Sequence, residues 1–151
     1  MLTLANLPPV VDIRVATSAV DLDAKLPTGR QRNLHLDALV ELSVGIAHSV
    51  SLARNALRDG DISRLLRAID AHAAASSLLA LNLSHNALGP SSAAAIATLL
   101  KSDACSLQRL SLEGNMLKDA GAVSLASGLA LNQSLERLSC CYCRIRPKGL
   151  S

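Results

Sequence analysis

The chain of 151 residues contains no Phe, no Trp and a single Tyr, Tyr142. A core without rings must be built from aliphatic side chains. Half of the residues are hydrophobic, with Leu and Ala dominant, which is enough to bury a substantial core in one domain. Without aromatics there is also no set of rings on which bases could stack. The net charge is only +3 and is dispersed, with no run of Lys or Arg, so nucleic acid is not an expected partner. A long uncharged apolar run is lacking too. The best stretch, residues 36–57, carries Asp37, Glu41, His48 and Arg54, so no membrane insertion is expected. The opening MLTLANLPPVV has no basic region ahead of an apolar core, as a secretory signal would. Four cysteines in that context are expected to be free thiols in the reducing cytoplasm.

Catalytic patterns are missing as well. There is no G-x-x-x-x-G-K, H-E-x-x-H or G-x-S-x-G. The expectation is a non-enzyme with no catalytic residue, no cofactor and no small-molecule substrate. His35, His48, His72 and His85 are scattered and read as surface residues, not metal ligands. Gly114, Gly121 and Gly128 read as turn and close-packing positions and not as a phosphate loop.

What is present is concentrated. The stretch Leu138-Ser139-Cys140-Cys141-Tyr142-Cys143 places three of the four cysteines within four positions. Cys140 and Cys143 have C-x-x-C spacing, but zinc needs four ligands, and Cys105, the remaining cysteine, stands alone. A redox pair belongs at a helix start, and the following Arg-Ile-Arg-Pro opens a helix poorly.

Self-similarity resolves the cluster. Leu78-x-x-Leu81-x-Leu83-x-x-Asn86-x-Leu88 recurs 29 residues later as Leu107-x-x-Leu110-x-Leu112-x-x-Asn115-x-Leu117. It recurs after 28 more as Leu135-x-x-Leu138-x-Cys140-x-x-Cys143-x-Ile145. A weaker copy, Ala47-x-x-Val50-x-Leu52-x-x-Asn55-x-Leu57, lies 31 residues before Leu78. Cys140 therefore takes a core Leu position and Cys143 an Asn position, so both are expected to be buried, with no metal. Downstream, Leu65 and Ile69, Ile96 and Leu100, and Leu125 and Leu129 are each four apart, the spacing of one helical face. Each unit reads as a strand, a turn containing Asn or Cys, and a helix. Strands are expected near 50–52, 81–83, 110–112 and 138–140, and helices near 62–71, 91–101 and 119–130.

Over about residues 47–151 this pattern resembles the leucine-rich repeat in its long form, the ribonuclease-inhibitor-like class shared by NOD-like receptors and the Ran GTPase-activating protein. The resemblance implies an α/β right-handed solenoid, a partial horseshoe of about four units with the last truncated. Parallel strands would line the concave face and helices the convex face, as right-handed crossovers of this length require. It also implies a structural ladder of Asn55, Asn86, Asn115 and Cys143, whose side chains satisfy backbone groups at the turn.

Residues 1–46 fit the repeat poorly and are expected to form an N-terminal cap or flanking segment, with strand-like alternation over residues 10–15 and helical potential over 33–42. An earlier register, Leu39-x-x-Leu42-x-Val44, stays open. The last strand has no cap after it, so the chain is expected either to be a fragment of a longer array or to have that edge covered by another chain.

The outward strand positions stack into columns of Ser49, Ala80, Arg109 and Arg137, then Ser51, Asn82, Ser111 and Ser139, then Ala53, Ser84, Glu113 and Cys141, and last Arg54, His85, Gly114 and Tyr142. Arg54, Asn82, Ser84, His85, Arg109, Ser111, Glu113, Arg137, Ser139, Cys141 and Tyr142 form the expected binding face for a protein partner, since Arg and Tyr are enriched among anchors. The alternative is a GTPase activator resembling the Ran family member, with Arg58, in Leu57-Arg58-Asp59-Gly60-Asp61, as the acting arginine.

Overall fold

A side chain every second residue enters the core from a strand, and one every three or four enters it from a helix. The repeating leucines obey both rules in turn, and the chain folds accordingly. The computed structural model describes residues 14–16, 19–21, 48–71 and 78–146. Its elements are β1 (Arg14–Ala16), β2 (Ala19–Asp21), β3 (Ser49–Ser51), α1 (Asp59–Ala71), β4 (Ala80–Asn82), α2 (Pro90–Lys101), β5 (Arg109–Ser111), α3 (Lys118–Leu131) and β6 (Arg137–Ser139). The strands form one sheet in chain order. β1 and β2 pair antiparallel, and every later neighbour is parallel.

The register follows the repeat. Val50, Leu81, Leu110 and Leu138 are Cα partners in successive strands. The first three are buried, as are Leu52, Leu83 and Leu112 two residues on, and they meet Leu65, Ile69, Ile96, Leu100 and Leu125 from the helices in one aliphatic core. Leu138 and Cys140 are only half-buried, since β6 is the last of the described strands and has a neighbour on one side only among them. The expectation of a fully buried Cys140 therefore fails, while Cys143 is 2% exposed. Turns or bends follow at residues 53–55, 85–86, 113–115 and 141–143, and the strands begin and end one residue earlier than the leucine spacing predicts. Backbone bonds still continue past them, from Leu52 N–H to the Asn82 carbonyl, Leu83 to Ser111 and Leu112 to Ser139, at 2.7–2.9 Å. Of the expected N-terminal features, residues 10–13, the 33–42 helix and the 39–44 register lie outside the described residues.

The turn is held by the ladder. Asn86 Oδ1 accepts from the N–H groups of Asn55 and Leu57 at 2.9 and 3.0 Å. Its Nδ2 donates back to the Leu52 carbonyl at 3.1 Å and to its own unit's Leu83 carbonyl at 2.9 Å. One repeat later, Asn115 Oδ1 accepts from Leu88 N–H at 3.2 Å, and Nδ2 donates to the carbonyls of Leu83 and Leu112 at 2.9 Å each. Cys143 keeps the donor half of this role, its thiol donating to the Leu112 carbonyl at 2.9 Å. Burial pushes that thiol's pKa up, only partly opposed by the Asn115 and Gly114 backbone N–H groups that approach the sulfur.

Helix packing differs along the array. α3 lies tightly on α2 because Gly128 has no side chain: a Cβ there would fall 2.8 Å from Ala97 Cα. The equivalent residue of α2, eleven after Leu88, is Leu99, which with Leu66 of α1 lines a hollow between those two helices. Asp59, at the start of α1, reaches the next unit and accepts from Gly89 N–H at 2.8 Å, from Ser92 N–H at 3.3 Å and from the Ser92 hydroxyl, capping α2. Burial alone would raise the Asp59 carboxyl, but these donors outweigh it and hold its pKa below the usual carboxylate range.

Two outcomes are expected. Asn115→Ala should cost about 1–3 kcal/mol in urea unfolding, since it strands buried backbone groups, and a neutral effect would remove the ladder from the account. Asp59→Ala should cost about 1 kcal/mol at neutral pH, the usual value of a helix cap. Because the folded pKa is lowered, this stabilisation is complete above the unfolded carboxyl pKa and lost as pH falls through the folded one. Urea midpoints of wild type and variant should therefore converge in acid.

Candidate functional site

Parallel pairing in register carries the outward residues into columns without further specification. Ser49, Ala80, Arg109 and Arg137 are successive Cα partners, as are Ser51, Asn82, Ser111 and Ser139. The sheet surface between them forms a hollow of about 240 Å³ whose lining includes Ser49, Asn82, Arg109, Ser111, Arg137 and Ser139. Both arginines are exposed, and neither has an ion-pair partner among the described residues. Adjacent strands lie about 4.8 Å apart, so two like charges stand side by side.

The floor is organised by Asn82. Its Nδ2 donates to Ser51 Oγ at 3.0 Å, and its Oδ1 accepts from Ser84 N–H at 3.0 Å and from the Ser84 hydroxyl at 2.6 Å. Ser84, expected as a contact residue, is 8% exposed and serves this bond instead. Glu113, half-buried, borders the hollow and accepts from Ser139 Oγ at 3.5 Å. The last column turns away from strand geometry: Arg54, His85, Gly114 and Tyr142 all have positive φ, between 55° and 72°. His85 lies against Gly114, where a Cβ would come 2.5 Å from its Nδ1, so position 114 needs glycine for space as well as for conformation. Arg54, His85, Cys141 and Tyr142 are exposed, Tyr142 at 84%.

The structure thus brings Asn82, Arg109, Ser111, Arg137 and Ser139 together, with Glu113 beside them, and strings the other exposed residues along the turn edge. All four cysteines are free, and among the described residues no three of His, Cys, Asp and Glu gather as a metal site. Arg58 is exposed on the turn before α1, its N–H donating to Asp61 Oδ2 at 2.8 Å, and nothing in this arrangement supports a GTPase-activating role. His35 and His72 lie outside the described residues.

One feature escaped the sequence reading. The separation of α1 from α2 opens a second hollow of about 410 Å³ on the helix side, lined by Leu66 and Leu99 with Arg67, Ser63 and Thr98. Its signal was available as Leu99 standing where the next repeat has Gly128.

Residues 74–97 and 103–126 match the family model of the leucine-rich repeat. No curated protein matches the chain significantly. The matched stretches contain β4 with most of α2, and β5 with much of α3. The units around β3 and β6 continue the same register on either side. The chain carries leucine-rich repeats in an α/β solenoid-like fold, a module type generally non-catalytic and used for protein interaction. Among the described residues no helix is long and apolar enough to cross a membrane.

Like charges directly across a strand pair are destabilising. Arg137→Gln should therefore keep or raise stability, by about 0.2–1 kcal/mol at low salt, with the gain fading as salt screens the pair. A clear loss in urea midpoint would show that the two arginines do not repel in the free protein.

Proposed function

We propose that the chain is a non-catalytic interaction module of the ribonuclease-inhibitor-like class that holds an acidic segment of a protein partner on its concave face. The observation that carries this reading is the in-register pair Arg109 and Arg137, exposed and without ion-pair partners among the described residues, over a floor of Ser49, Asn82, Ser111 and Ser139. Two guanidinium forks on neighbouring strands can meet one acidic group together. Tyr142, Cys141, His85 and Arg54 extend the surface along the turn edge. The class is supported by repeat lengths of 28–31 residues and by a helix of 12–14 residues in each complete unit.

The module works in the cytoplasm, a setting consistent with its four free thiols. Residues 1–46 act as the N-terminal cap, supported by the pairing of β2 with β3. The repeats are part of a longer array, supported by the half-buried state of Leu135, Leu138 and Cys140 on the outermost strand unit.

The test compares charge reversal on the two faces. A partner captured by the full chain is purified, and its affinity measured for Arg109→Glu/Arg137→Glu and for Arg67→Glu/Lys101→Glu. The strand pair should weaken binding by at least about tenfold, as for a charge pair truncated at an interface, and the helix pair should change it little. Equal losses, or loss only with the helix pair, would move the site off the strands.

A further inference from the structure

Building on the concave-face reading, we propose that the hollow between Arg109 and Arg137 is a receptor for a phosphorylated side chain of the protein partner. Charge in the hollow is uncompensated among the described residues. The two arginines face each other across β5 and β6, and without an acidic partner among the described residues their repulsion persists in the free molecule. A ligand carboxylate brings one negative charge and leaves one guanidinium unneutralised. A phosphate monoester brings nearly two at neutral pH, together with three acceptor oxygens. Guanidinium forks match those oxygens in pairs, which an ammonium cannot do.

The rest of the hollow supplies donors. The hydroxyls of Ser49 and Ser111 make no hydrogen bond among the described residues, so both are free to turn toward a ligand. Asn82, between them, is locked by Ser51 and Ser84, so the floor is fixed before binding. Glu113, which accepts from the lining residue Ser139, places negative charge beside the Ser111–Ser139 end and would repel an anion there. A dianion is thereby directed to the Arg109–Arg137 end. A volume of about 240 Å³ is ample for a phosphate and the first carbons of the side chain bearing it.

The test uses the full 151-residue chain at fixed ionic strength. Thermal unfolding is followed with inorganic phosphate and with acetate, and titration calorimetry with the peptide Ala-Ala-phosphoserine-Ala-Ala and its Glu and Ser counterparts. Phosphate should raise Tm with concentration while acetate does not. The phosphopeptide should bind about tenfold more tightly than the Glu peptide, and either Arg109→Gln or Arg137→Gln should weaken it by about tenfold, the size of one charge-assisted bond. Neither variant removes a core contact, and a cooperative transition without ligand, at a Tm no lower than that of the wild type, verifies that each is folded. Absence of phosphate binding, or phosphate binding undiminished in Arg109→Gln/Arg137→Gln, overturns the proposal. Equal, arginine-dependent binding of the Glu and phosphoserine peptides overturns it while leaving the concave face as the site. Partner binding indifferent to both arginines removes the concave-face reading itself.

Discussion

Each repeat must turn a corner between strand and helix, and the corner leaves backbone N–H and C=O groups facing the core without secondary-structure partners. The buried amides of Asn86 and Asn115 meet that demand in two repeats at once, accepting from the preceding unit and donating to both units. This inter-repeat bonding makes the stack a single body and not a string of hairpins. It also holds in place the positive φ of Arg54, His85 and Tyr142, a conformation unfavourable for side chains of their kind. Where Cys143 replaces asparagine, the thiol retains the donated bond with sulfur as a weaker acceptor.

The concave surface inherits its geometry from that constraint. Because neighbouring strands cannot slip relative to the ladder, outward residues at equivalent positions stand side by side whatever they are. The fold thereby tolerates an arrangement that an unconstrained pair of strands would avoid, Arg109 directly beside Arg137. The aliphatic core and the amides supply the stability, and under the proposed function the outward positions serve recognition.

This division explains what the sequence revealed. The Leu and Asn spacing made strand order, helix faces and the role of Cys143 legible, because a repeat defines its own register. The same register made the Arg109–Arg137 column legible. Less accessible were interactions that break the repeat. Ser84 folds its hydroxyl back onto Asn82, and its burial depends on a neighbour two residues away that other units lack. Asp59 caps a helix 30 residues downstream, a role visible only once the units are stacked. Gly128 lets α3 lie close on α2, a matter of side-chain size rather than of pattern. Cys140 looked like core by position, yet its strand is the last of those described, and the half-burial follows from that edge and not from the repeat.

The most direct measurement of the ladder is amide hydrogen exchange resolved by residue. Leu57 and Leu88 lie past the ends of their strands, and their N–H groups bond to Asn86 and Asn115 side chains at 3.0 and 3.2 Å. If the ladder holds the stack together, both amides should exchange only with global unfolding, at rates matching the core strands. Exchange at rates near those of an open loop, while the strands remain protected, would contradict the account.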